Sequence, residues 1–219
     1  MNHDQVKLCE NKERNFIENW ECRYFVCDSE PPHGFEHERL RDIFDQWEGP
    51  RDESDLYFIT DEETVNLKLR KSSKTKPTIK MRVRRDKRDE FELWRTEIDQ
   101  MLPAPSKVWS KVLTRLNIEG DIDLLSNCSR SHQVEKVLLI MQPGLLHGEV
   151  RKKRWRYFDP QGEIEVAKIT FGSSLFYSVS FESQSGDPGQ VKALRDKWSV
   201  SKLGIPKNYV RLLSQVLLK

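Results

Sequence analysis

The chain has 219 residues, of which 37% are hydrophobic, 33% charged and 10% aromatic; the aromatics exclude a wholly disordered chain, and the low apolar content predicts a polar surface somewhere inside. Its 37 basic and 35 acidic residues leave a formal charge of +2, which is too small to argue for general nucleic-acid binding and shifts attention to local clusters. Cys9, Cys22, Cys27 and Cys128 show no CxxC spacing and no paired histidines, which argues for reduced thiols over a structural zinc site.

Residues 1–15 are polar and read as a flexible N-terminus ahead of a single domain over 16–219. Met1-Asn2-His3-Asp4 opens no apolar leader, and no later stretch approaches a membrane span, so a soluble, cytoplasmic protein without a membrane partner is expected. A first strand is predicted over 19–26, with Asn19, Glu21 and Arg23 on one face and Trp20, Cys22 and Tyr24 on the other. After Pro31-Pro32-His33-Gly34, the residues Phe35, Leu40, Ile43, Phe44 and Trp47 recur at near-helical spacing up to Gly49-Pro50.

An antiparallel meander is predicted next, with strands near 55–60, 64–71, 77–85 and 89–98 joined by turns such as Lys71-Ser72-Ser73-Lys74. Pro103 and Pro105 end it, and Ser106 is placed to cap a helix carrying Val108, Val112, Leu113 and Leu116. A second β unit follows over 134–142, 149–158, 162–171 and 175–183, although the register near 134–142 is open. Pro188-Gly189 opens a helix to about Val200, and a last helix after Pro206 carries Tyr209, Leu212, Leu213, Val216 and Leu217.

The segments Asn66-Leu67-Lys68-Leu69-Arg70, Thr78-Ile79-Lys80-Met81-Arg82-Val83-Arg84 and Lys152-Lys153-Arg154-Trp155-Arg156 alternate charge with apolar bulk, so each strand has one apolar face and one row of like charges. A solvated sheet face is the ordinary outcome for such rows. Several cationic strands side by side repel, however, unless something anionic lies between them, and a polyphosphate has that charge.

In chain order, Asn19-Trp20-Glu21-Cys22-Arg23, Asp55-Leu56-Tyr57-Phe58, Leu67-Lys68-Leu69-Arg70, Ile79-Lys80-Met81-Arg82, Glu90-Phe91-Glu92, the basic 152–157 strand and Lys207-Asn208-Tyr209-Val210-Arg211-Leu212-Leu213 resemble the motifs of the CYTH, or triphosphate tunnel metalloenzyme, superfamily. The resemblance implies an α+β fold, an eight-stranded antiparallel β tunnel closed into a barrel with flanking helices. It implies Mg²⁺- or Mn²⁺-dependent hydrolysis of inorganic triphosphate, a nucleoside triphosphate or a 5′-triphosphate RNA end. Closure of these strands aims Arg23, Lys68, Arg70, Lys80, Arg82, Arg84, Lys152, Arg154 and Arg156 at the phosphates. The resemblance assigns Glu21 and Glu92 to catalysis, and Glu21, Glu90, Glu92, Glu165 and Glu182 to the metal.

The chain departs from that pattern at Asn19 and at Ser180, where glutamates are expected; each replacement removes a negative charge from the ion's site. Three alternatives stay open: a polyphosphate, nucleotide or RNA-end binding module without turnover, adenylate cyclase-type chemistry, and single-stranded nucleic acid on an outer basic face. A one-residue register shift swaps every face. Lys71 to Lys76 and Arg84 to Arg88 are read largely as solvated turn residues, the tryptophans largely as core, and the scattered histidines form no hydrolase triad.

Overall fold

The computed structural model describes residues 17–28, 30–59, 63–71, 76–183, 186–198 and 203–217. The terminus over 1–15, the turn over 72–75 and the helix end near 200 lie outside them. Eight strands, β1 (Glu18–Val26), β2 (Trp47–Ile59), β3 (Val65–Lys71), β4 (Thr78–Arg88), β5 (Phe91–Met101), β6 (Leu146–Asp159), β7 (Gly162–Phe171) and β8 (Ser174–Ser183), form a closed barrel. Its order is β1-β5-β4-β3-β2-β6-β7-β8, and every neighbouring pair is antiparallel. The helices around it are α1 (His37–Ile43), α2 (Ser106–Leu116), α3 (Ile122–Ser126), α4 (Ser131–Met141), α5 (Pro188–Asp196) and α6 (Tyr209–Leu217).

Alternation along the strands sorts the side chains. Leu56, Phe58, Leu67, Leu69, Ile79 and Met81 point outward and join Val108, Trp109, Val112, Val134 and Leu138 of α2 and α4 in one apolar core. Trp20, Cys22, Tyr24, Ile164, Val179 and Phe181 form a second core with Leu40 of α1 and Val191 and Leu194 of α5. Burying a side chain of this size contributes about 1.5–3 kcal/mol, so these two outer layers fix which face of each strand turns inward.

Register aligns the inward polar residues from strand to strand. Glu21 lies opposite Glu182, Arg70 opposite Asp55, Lys68 opposite Lys80 and Arg156 opposite Glu165, so no one-residue shift has turned the charged rows outward. At one end the inner wall becomes apolar. There Tyr57, Val150, Ala167 and Ile169 pack on Tyr209, Val210 and Leu213 of α6, which stops that end of the barrel.

Three sequence expectations are corrected. Residues 134–142 are not a strand: Val134 and Leu138, four apart, are both buried on one face of α4, and the Gln133 side chain accepts from the backbone N–H groups of Ser129 and Arg130 at its start. The continuous apolar run Val137 to Met141 suits a strand or a buried helix, and this N-terminal bonding decides for helix. Trp47 belongs to β2 rather than to the preceding helix, which ends at Ile43. Ser106 begins α2 instead of capping it, and its hydroxyl meets that of Ser126 at 3.1 Å.

Candidate active site

The barrel encloses a cavity of about 680 Å³ lined by Arg23 of β1, Lys68 and Arg70 of β3, Lys80 and Arg82 of β4, and Lys152, Arg154 and Arg156 of β6. Opposing walls therefore supply eight cations to one space, and five carboxylates line it with them: Glu21, Asp159, Glu163, Glu165 and Glu182. The closed sheet gives these rows no route to bulk solvent except along the barrel axis. Arg151 and Lys153 of β6 face outward and are exposed, so that strand divides its cations between the interior and the outer surface.

Arg23 is the hub of the first ionic cluster. Its Nε donates to Glu21 at 2.7 Å, Nη1 to Glu165 at 3.0 Å and Nη2 to Glu182 at 2.9 Å. The other oxygens of these carboxylates are also engaged: Arg82 donates to Glu21 at 3.1 Å, Arg154 to Glu165 at 2.9 Å and the Asn19 amide to Glu182 at 3.0 Å. Arg82 reaches Asn19 Oδ1 as well, at 2.9 Å, so Asn19 bridges a cation and an anion where a second carboxylate was expected. Ser180 donates to Glu182 at 3.1 Å.

The three carboxylates respond differently to one environment. Burial opposes ionisation of Glu165, but Arg23 and Arg154 outweigh it and hold the group well below the usual carboxylate range; Glu21 is lowered in the same way by Arg23 and Arg82. Burial and then the neighbouring Glu21 charge push Glu182 up to about 7, against the pull of Arg23. Three carboxylates thus face three guanidinium neighbours, and Glu182 is the one of them that takes a proton most readily.

A second cluster surrounds Asp55, which has no exposed surface. Lys68 donates to it at 2.7 Å and Arg70 at 3.1 Å, and Lys152 is ion-paired with it at 3.0 Å, while Glu53 meets Arg154 at 2.7 Å and Arg70 at 3.2 Å. Burial disfavours the Asp55 charge, and Lys68, Lys152 and Arg70 overcome that cost and hold its carboxyl well below its ordinary value. Glu53 and Asp55 were not among the sequence candidates. The Asp55-Leu56-Tyr57-Phe58 alternation put Asp55 on the polar face, but only the pairing of β2 with both β3 and β6 shows which cations it serves.

Arg82 Nε, Arg154 Nε and Tyr209 Oη, on residues that line the cavity, are buried without a hydrogen-bond partner. At the stopped end, Tyr209 lies 4.9 Å from the Arg23 guanidinium carbon and 5.2 Å from Lys152 Nζ, measured to its ring centroid.

Of the remaining candidates, Arg84 is committed to Glu92 at 2.7 Å, and Glu92 also accepts from the Asn208 amide at 3.2 Å and from the Trp94 indole at 3.2 Å. Glu90 lies in the β4–β5 turn and pairs with Arg195 of α5. Glu90 and Glu92 border a separate cavity of about 40 Å³ with Glu21, Arg23 and Asn208; neither lines the large one. Asn208, missed from sequence, also accepts from the Arg211 backbone N–H at 2.8 Å and so caps α6. Among the described residues, no three acidic, histidine or cysteine side chains stand ready around a metal-sized point. The point shared by Glu21, Glu165 and Glu182 is held by Arg23.

No protein-family model and no curated protein matches the chain. Solved structures do: a Hippeastrum protein described as a candidate adenylyl cyclase with a dominant triphosphatase activity superposes with a TM-score of 0.50 at 15% identity, over 92% of this chain and 97% of its own. The chain shares that protein's fold, here an eight-stranded antiparallel barrel. A Pyrococcus horikoshii protein aligns with a TM-score of 0.47 at 19% identity over 89% of this chain and 98% of its own. A candidate adenylate cyclase of Bacillus halodurans gives 0.46 at 16% over 88% and 95%. Within this barrel, the inward rows of β1, β3, β4 and β6 are the feature that bears on function.

Proposed function

We propose that this chain is a divergent CYTH protein that binds the triphosphate group of a small molecule or an RNA 5′ end inside the barrel and hydrolyses its terminal phosphoanhydride bond. The observation that carries the reading is a single cavity lined from opposing walls by eight cations. Arginine forks and lysine ammonium groups are the strong ligands for phosphate oxygens. In the reaction, water attacks the terminal phosphorus, the bridging oxygen leaves with the diphosphate remainder, and orthophosphate is released.

The residues divide the work. Arg70, Arg82, Lys152 and Arg154 neutralise the phosphate oxygens, and Asp55 with Glu53 fixes three of those cations in place. Glu21, Glu165 and Glu182, hard oxygen donors gathered around Arg23, are the residues that would hold Mg²⁺ or Mn²⁺. Bound there, such an ion supplies charge neutralisation at the terminal phosphoryl group. Arg23 competes with it for the same carboxylates.

That competition favours a second reading, binding without turnover. Each oxygen of Glu21, Glu165 and Glu182 already accepts a hydrogen bond. A panel of tripolyphosphate and nucleoside triphosphates with Mg²⁺ and with Mn²⁺, scored for released phosphate and thermal stabilisation together, tests both readings. Release with stabilisation supports hydrolysis, stabilisation without release supports the binding module, and neither defeats the tunnel reading.

A further inference from the structure

Phe158 has an unusual position for a phenylalanine in this fold. It is half-buried, yet it belongs to none of the three apolar cores. It lies on the inward face of β6, two residues beyond Arg156, whose guanidinium carbon sits 5.2 Å from its ring centroid. Its backbone N–H donates to Gln46 O at 3.0 Å, which pins the rim of the barrel to the segment after α1.

On the far side of that rim is a second cleft of about 830 Å³. Phe158, Asp159 and Pro160 line both this cleft and the cationic cavity, so the two spaces meet at the β6–β7 turn. Trp198 lies in the cleft, parallel to Phe44 at 5.9 Å between centroids. Asp45, Gln46 and Lys197 add donors and acceptors, with Lys197 drawn to Asp159 at 3.2 Å.

We infer that Phe158 is the platform on which the base of a nucleoside 5′-triphosphate stacks, with the nucleoside in the cleft and its triphosphate in the barrel. This rests on the triphosphate reading of the barrel and adds the substrate class. A ring outside every core, with a cation on one side, supplies the stacking surface that base recognition uses irrespective of sequence. Gln46 and Asp45 offer amide and carboxylate groups to a base edge. A free nucleotide and the first nucleoside of an RNA 5′ end share this chemistry.

The test uses the full chain and two non-hydrolysable ligands with Mg²⁺, β,γ-imido-ATP and diimidotriphosphate, measured by calorimetry. The wild type is expected to bind the nucleotide at least about tenfold more tightly than the inorganic analogue. Phe158→Ala removes that advantage and leaves diimidotriphosphate affinity and melting temperature within error, while Phe158→Tyr restores it. Equal affinities in the wild type, or an equal loss for both ligands in Phe158→Ala, overturn the nucleoside site while leaving the triphosphate reading intact. Binding of neither ligand overturns both. A 5′-triphosphate trinucleotide in parallel separates the two sources: a gain over the mononucleotide assigns the site to an RNA end, and parity assigns it to a free nucleotide.

Discussion

Lys68 Nζ donates to Asp55 Oδ2 at 2.7 Å across the β2–β3 pair, inside a barrel where Asp55 has no exposed surface. This carboxylate is the counter-charge for Lys68, Arg70 and Lys152 together. Removing one partner of a buried ionic set leaves the others uncompensated, at a cost of about 3–5 kcal/mol. Asp55→Asn is therefore expected to lower unfolding stability by that amount in urea titrations at pH 7, and a loss below about 1 kcal/mol contradicts the assigned role.

The same group gives a signed pH dependence. Its folded value lies well below the ordinary 3.8 because the three cations outweigh its burial. Its contribution is complete above the unfolded value and disappears as pH falls through the folded one. The wild type should lose stability progressively on acidification below about pH 4, and Asp55→Asn should show a flatter acid limb in the same titration. Parallel limbs in the two proteins would count against it.

Arg82 and Arg154 both line the cavity, on β4 and β6. A hydrogen bond to a charged group is worth about 1.5–3 kcal/mol, so Arg82→Gln or Arg154→Gln should weaken tripolyphosphate binding roughly 10- to 100-fold. Lys153, exposed on the outer face of β6, is the control; Lys153→Ala should leave affinity within about twofold. Equal effects at 153 and 154 would return the site to the surface.

If turnover occurs, Glu165→Gln should abolish phosphate release, because Glu165 faces the cavity and touches both Arg23 and Arg154. Glu90→Gln should leave release unchanged, since Glu90 pairs with Arg195 outside the large cavity. The opposite ranking moves the chemistry to the small cavity at the α6 end.

Gly162 opens β7 with φ +154°, and a Cβ there would meet the carbonyl oxygen of Glu182 at 2.1 Å. Gly162→Ala must displace backbone of β8 beside a candidate ligand, at a cost of about 2 kcal/mol or more. A melting temperature lower by roughly 4–8 °C is expected, and an unshifted transition would show that the rim yields without cost.

The barrel was legible because its strands alternate strictly. Leu67, Leu69, Ile79 and Met81 could serve only as an outer face once Lys68, Arg70, Lys80 and Arg82 shared the other. Arg23, Arg82, Arg154, Glu21, Glu165 and Glu182 were readable as inward for the same reason. Which carboxylate serves which cation was not readable, since Glu53 and Asp55 act through the pairing of β2 with β3 and β6. Glu90 shares parity with Glu92, but the strand begins at Phe91, after Asp89 takes φ +54°, and the turn aims Glu90 at α5 instead. Helix α4 was hidden because five consecutive apolar residues carry no period.

Tyr209, Val210 and Leu213 fill one end of the barrel, and this settles the traffic of anything that occupies it. A cul-de-sac works as a stack: the group that goes in first sits deepest and comes out last. The longer fragment of any chain cleaved inside must clear the doorway before the innermost piece can follow.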